Sequence, residues 1–230
     1  SHDPLGWMPA NSDIVKSTRY IDDKLRGTIV LEILIDTKRE NGLHDPSILR
    51  KMDRLASELS RRDKDPYIGK AISVVDILKE IHQALNDGEK KYYKVPENQK
   101  LISQEFLLFE LAGSDDLETF VDSTFQTARF TIRVPWRDAL VYAPFLKETK
   151  TFFEEEFEKK VSISTTGMMS ILSRTLEAAI YSAAKSYIIA LTVISLVIIL
   201  MLGNLKLGLI SMLPNISPII FTMGSMYWLD

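Results

Sequence analysis

Cysteine is absent from this chain of 230 residues, and charge is almost absent after Lys185. The first absence excludes disulfides and thiolate metal sites, and suits an oxidising or a reducing compartment equally well. Histidine is scarce as well. His2, His44 and His82 stand apart in sequence and read as surface or packing residues rather than ligands or bases. No GxxxxGK[ST] run occurs, and Gly88-Glu89-Lys90 lacks the earlier glycine and the strand context of a phosphate loop. HExxH, GxSxG and EF-hand patterns are missing too. With no catalytic constellation, no metal-ligand set and no cofactor fingerprint, the chain reads as something other than an enzyme. The net charge is −3, and no basic stripe with interleaved aromatics appears, so nucleic acid is not an expected partner. The sign-alternating RKMDR and SRRDK runs read as solvated helix faces. Glu154, Glu155, Glu156 and Glu158 read the same way, because consecutive helical residues point in different directions.

What is present is sharply divided. Of the 59 Asp, Glu, Lys and Arg residues, 57 lie in the first 185 positions, and between Ser186 and Leu229 the only charge is Lys206. A charge at a bilayer centre costs at least about 2.5 kcal/mol, so this stretch reads as membrane-embedded. Residues 182–202 make a helix of roughly 30 Å, enough to cross a hydrocarbon core, and 207–229 supply a second span. The short connection at Gly203-Asn204 predicts an antiparallel hairpin. Tyr181 and Tyr187 then share an interface with Tyr227 and Trp228, while Lys206 marks the other. Aromatic residues favour interfaces, and lysine favours the cytoplasmic side of short loops, which places the soluble part outside the cytoplasm. Pro214, Asn215 and Pro218 fall inside the second span, where prolines read as a kink or as a flexible element of a moving transporter. Neither span has an ionisable group in its interior, so these residues alone cannot complete a proton relay.

The charged part is patterned for mixed structure. Residues 1–22 begin as a Pro/Gly-rich loop, with Ser12 or Asp13 placed to cap a short helix through 20–25. TIVLEILID at 28–36 alternates as a strand should. Asp45-Pro46 predicts a helix start, with Ile48, Leu49, Met52, Leu55, Ala56 and Leu59 on one face. Residues 68–75 read as extended, 76–86 as helix, 98–111 as helix, 120–134 as one long β segment, 142–160 as helix and 161–166 as strand. This order predicts an α+β or split βαβ sandwich. Phe106, Phe109, Phe145, Phe152, Phe153 and Phe157 read first as core. Phe106, Phe109, Phe145 and Phe153 are the candidates for contact with a greasy substrate, should one pass through this domain.

Four stretches together resemble a known family. They are DPLGWMPANSDIVKSTRYIDDKLRGTIVLEILIDT, then SVVDILKEIHQAL, then VSISTTGMMSIL, and finally LMLGNLKLGLISMLPNISPIIFTMGSMYWL. In this order they resemble the resistance-nodulation-division superfamily, in its MMPL / hydrophobe-amphiphile exporter branch. The resemblance implies a ferredoxin-like split βαβ porter domain followed by a transmembrane helical hairpin. It further implies a proton-driven exporter of lipids or other hydrophobic or amphiphilic molecules in a prokaryotic inner membrane, with the porter domain periplasmic. On this reading 1–27 is an opening segment after a missing first span, and 28–173 the porter domain. Residues 174–203 form a connecting helix and span, 204–206 a cytoplasmic turn, and 207–230 a second, truncated span. The implied partners are the bilayer, the remainder of the same polypeptide, a hydrophobic or lipid substrate and further copies of the chain. The family's proton-coupling residues belong to a span expected after Asp230. A different class of reading is a membrane-anchored sensor or binding ectodomain, or an accessory factor for protein translocation.

Overall fold

The computed structural model describes residues 4–61, 68–113, 115–137, 142–158 and 160–210, with the single positions 214, 217 and 221. They divide into two units, 2–174 and 175–230.

The first unit is α+β. Four strands, β1 (Ile29–Asp36), β2 (Ala71–Ile72), β3 (Thr127–Val134) and β4 (Ser162–Thr166), form one antiparallel sheet in the order β2-β3-β1-β4. β3 therefore lies between β1 and β2, and β1 between β3 and β4. The period-2 alternation of β1 puts Ile29, Leu31, Ile33 and Ile35 on the buried face. β3 answers with Ala128, Phe130, Ile132 and Val134, in a register that sets Leu31 opposite Ile132 and Ile33 opposite Phe130. The other face carries Glu32, Asp36, Arg129 and Arg133, all half-buried, with Arg129 3.6 Å from Glu32.

Helices supply the rest of the core. Helix α1 (Asp13–Leu25) starts at Ser12, whose hydroxyl accepts from the Val15 amide. Asp22, on α1, accepts from the Thr28 hydroxyl and from the Trp136 amide, tying this helix to one end of the sheet's central pair, where Ile29 meets Val134. Helix α2 (Pro46–Arg61) starts as predicted at Asp45, whose carboxylate takes the Ser47 amide at 2.9 Å. It buries Leu49, Met52, Leu55 and Leu59. Helix α5 (Tyr142–Glu156) buries Phe145 and Phe153, the latter edge-on to Phe130 with ring centroids 5.0 Å apart.

Two expectations for the strands change. The extended run expected over 68–75 contains a strand only at Ala71–Ile72, because Ser73 opens helix α3 (Val74–Ala84) with a reciprocal capping box to Asp76. The β segment expected over 120–134 is a strand only from Thr127. Ahead of it the Asp122 carboxylate accepts the amides of Gln126 and Thr127 and the Thr124 hydroxyl, which folds 121–127 into a turn.

Helix α6 (Gly167–Leu202) begins directly after β4, earlier than the pattern predicted. Within the first unit Met169, Ser170 and Ser173 are buried, and Arg174 donates to the Thr165 hydroxyl at 2.8 Å. In the second unit no residue of α6 is buried, with Leu191, Ser195, Ile198 and Ile199 half-buried on one face, and among the described residues it is the one helix long and apolar enough to cross a membrane. Gly203, at φ +61°, ends it, and Asn204 caps α7 (Leu205–Ile210) through the Lys206 amide.

Candidate functional site

Helix α3 and helix α4 (Gln99–Leu111) lie side by side at the β2 edge of the sheet. Asn98 starts α4 by accepting from the Lys100 amide. Between these helices and the 3-10 turn at Asp115–Thr119 opens a cleft of about 730 Å³. Ile72, Ile77, Ile81, Leu85, Leu108, Phe109 and Phe120 give it an apolar lining, and Lys70, Asp76, Glu80, Tyr93 and Asp116 supply its polar groups. That size and makeup match a site for a small apolar or amphiphilic molecule.

The clamp that positions the two walls is buried and polar. His82 on α3 meets Glu105 on α4, Nδ1 to Oε1, at 2.6 Å, with both side chains almost fully buried. The Tyr92 ring stands edge-on to His82, and the Asn86 amide donates to the His82 carbonyl. Glu105 Oε2 is buried without a partner. On helical spacing Ile81 and Leu85 flank His82, while Leu108 and Phe109 lie one turn beyond Glu105, so the pair fixes the side chains that line the cleft.

Charge at the rim is held in place from behind. Lys79 donates to Asp53 at 2.6 Å, lies 3.4 Å from Asp76 and sits 5.0 Å above the Tyr93 ring. Burial opposes its charge, but the Asp53 hydrogen bond and the two carboxylates prevail and hold its ammonium above the usual lysine range. Tyr93 and Asp76 are therefore anchored, and the cleft's remaining carboxylates, Glu80 and Asp116, give its rim an acidic bias over Lys70.

Of the phenylalanines singled out from sequence, Phe109 lines the cleft. Phe106, Phe145 and Phe153 do not; they are buried in the core, with Phe106 stacked toward His44 and Phe125. Phe120, Tyr93 and the two leucines were not singled out, and no local pattern distinguishes them. Among the residues expected from sequence to lie in or beside the membrane, Tyr187 is exposed on α6 and Lys206 on α7, and Pro214 is helical and exposed. Asn215, Pro218 and Trp228 lie outside the described residues. Among the described residues no group of three or more metal-ligating side chains converges.

His44, behind α4, makes a pH-dependent contribution. Its Nδ1 is 2.9 Å from the Ser103 hydroxyl, its Nε2 is buried without a partner, and burial depresses its pKa below 6.5. Above pH 6.5 the ring is neutral folded or unfolded. As pH falls below that value the unfolded chain gains a proton the folded one resists, so stability declines down to the folded pKa. His44→Phe, which stacks between Phe106 and Phe125 with no orphaned nitrogen, is expected to flatten this acid limb. Urea titrations at pH 7.5 and 5.5 check it, and an unchanged difference between the two pH values contradicts it.

Compared with protein-family models and with curated proteins, the sequence matches none.

Proposed function

We propose that this chain is part of a proton-driven membrane exporter of the resistance-nodulation-division type, moving lipids or other hydrophobic or amphiphilic molecules. The carrying observation is the apolar cleft of about 730 Å³ in a domain that runs without a break in the chain into a helix able to cross a bilayer. The strand order supports a ferredoxin-like reading of the domain. β1 and β2 run parallel with β3 inserted antiparallel between them, and β3 and β4 are split in the same way by β1. A split βαβ porter domain would have this strand order.

On this reading the domain stands outside the cytoplasm of a prokaryotic cell, with α6 in the inner membrane and Lys206 at the cytoplasmic surface. The cleft receives an acyl chain or similar apolar group along Ile77, Ile81, Leu108 and Phe109. Its acidic rim and the Tyr93 ring meet the polar end. The ionisable residues that couple protons to transport belong to the remainder of the polypeptide, because α6 carries none beyond Lys185.

The test is efflux of a fluorescent lipid from cells making the full-length protein. Efflux is expected to stop when the proton gradient is collapsed. Ala84→Trp, which places an indole in the cleft from an exposed position, is expected to lower binding of a fluorescent fatty-acyl probe at least about tenfold. Efflux indifferent to the gradient sinks the exporter, and probe binding unchanged by Ala84→Trp sinks the cleft as its path. A sensor or binding ectodomain would keep the second result and lose the first.

A further inference from the structure

Four charged side chains among the described residues line the cleft between α3 and α4, and two of them are already engaged within the chain. Asp76 accepts the Ser73 amide at 3.0 Å and lies 3.4 Å from Lys79, so the helix start and a neighbouring ammonium both use it. Asp116 has a partner of its own. Lys70 and Glu80 differ. Among the described residues neither side chain makes a hydrogen bond or an ion pair, and the two do not meet each other.

Both charges stand on fixed backbone. Lys70 is held against β3 at the sheet edge, where its carbonyl accepts the Arg133 amide at 2.9 Å and Gly69 donates to the Arg133 carbonyl at 2.7 Å. Glu80 lies well inside α3, whose start is set by its capping box. On helical spacing it shares the cleft-lining face with Ile77, Ile81 and Ala84. The cleft thus presents one free cation and one free anion, from two different elements, beside an apolar lining. The other charges nearby lie outside that lining. Lys90, Lys91 and Lys94 are on the segment that carries Tyr93, and Lys91 is paired with Glu89 at 2.6 Å. Glu110 and Glu118 line a different recess.

A head group of one sign is attracted by one of these two charges and repelled by the other, whereas a head carrying both signs answers both. On the reading of the cleft as the path of an amphiphile, we infer that it takes one whose head is zwitterionic, a primary ammonium joined by a short linker to a phosphodiester. The ammonium donates to Glu80, and the phosphate accepts from Lys70, a compact point charge suited to that group. Asp76 and Asp116 add negative potential on the side of the ammonium. The acyl chain lies along the isoleucines and phenylalanines of the lining.

The test uses probes that share one fluorescently labelled dodecyl chain and carry phosphoethanolamine, phosphate, ammonium or maltoside as the head. Binding is read by anisotropy on the full-length protein in an uncharged detergent, and the part lost in Ala84→Trp counts as binding in the cleft. The phosphoethanolamine probe is expected to bind about tenfold more tightly than each of the others. Glu80→Gln is expected to weaken it about threefold and leave the phosphate probe no weaker. Lys70→Gln should weaken it as much and leave the ammonium probe no weaker. Both residues are exposed, so neither change threatens the fold. Free phosphoethanolamine at the same concentration should not displace the probe. Equal affinity for any of the other three heads, or a loss in either variant common to all four, would overturn the zwitterionic head. Displacement by the free head group would also overturn it, since the site would then serve a soluble molecule. In the first two cases binding that Ala84→Trp still removes leaves the cleft standing as an amphiphile's path, whereas no cleft binding by any probe overturns both.

Discussion

Glu105→Ala is expected to lower the stability of the α+β unit by about 3–5 kcal/mol and to abolish ligand binding in the cleft. The reason is what the substitution leaves behind. His82 would keep its buried place on α3, against the Tyr92 ring, with the acceptor for Nδ1 gone. Water cannot replace the carboxylate without opening the contact between α3 and α4, and that contact forms the cleft's floor. The pair itself contributes less than its loss suggests, because both groups are desolvated to make it and Glu105 Oε2 has no partner. The double replacement His82→Leu with Glu105→Leu should therefore recover most of the stability. Denaturant titration of the purified protein in detergent, beside probe binding, separates these outcomes. A Glu105→Ala variant that unfolds at the wild-type midpoint would mean that the pair is solvated and clamps nothing. A double variant as unstable as the single would mean that the site needs polarity rather than packing.

The parts of the fold that were legible in the sequence are those fixed by local chemistry. β1 and β4 alternate within their own residues, and Asp45-Pro46 carries its helix start in two positions. Helix α3 starts two residues ahead of the expected 76, although the signal for the earlier start is present. Ser73 and Asp76 have capping-box spacing, but Val74 and Val75 are β-branched and read as strand. Reciprocal hydrogen bonds at the cap outweighed their propensity. At 120–126 the apolar Phe120-Val121 masked a turn that only Asp122, accepting three donors, brings about. The cleft was not legible because its walls converge from segments far apart in the chain. Phe106 and Phe109 are three positions apart on α4, and helical periodicity alone does not say which one meets the core. His82 and Glu105 were likewise invisible as a pair, being 23 residues apart with nothing local to join them.

Gly167→Ala is expected to cost about 3 kcal/mol, and to do so at the joint between the sheet and helix α6. Gly167 has φ +88°, a conformation that L-residues adopt only under strain. An added Cβ would also lie 2.9 Å from the Val30 carbonyl oxygen and 3.0 Å from the Glu32 amide nitrogen, both backbone atoms of β1. β1 is the centre of the sheet, paired with β3 on one side and β4 on the other, so it cannot yield. The strain must pass to β4, whose last residues, Thr165 and Thr166, pair with Ile33 and Glu32. The prediction is therefore specific in place as well as size. Amide exchange should accelerate along Ser162–Thr166 and reach Arg174 through its bond to Thr165, while the apolar part of α6 keeps its helical signal. In a bilayer that part has no other way to satisfy its backbone. Met168→Ala, one residue on and exposed, is the control and should change stability by no more than about 0.5 kcal/mol. If Gly167→Ala leaves exchange in β4 unchanged, the sheet does not hold the start of α6. Movement in the α+β unit would then have no route through this joint into α6.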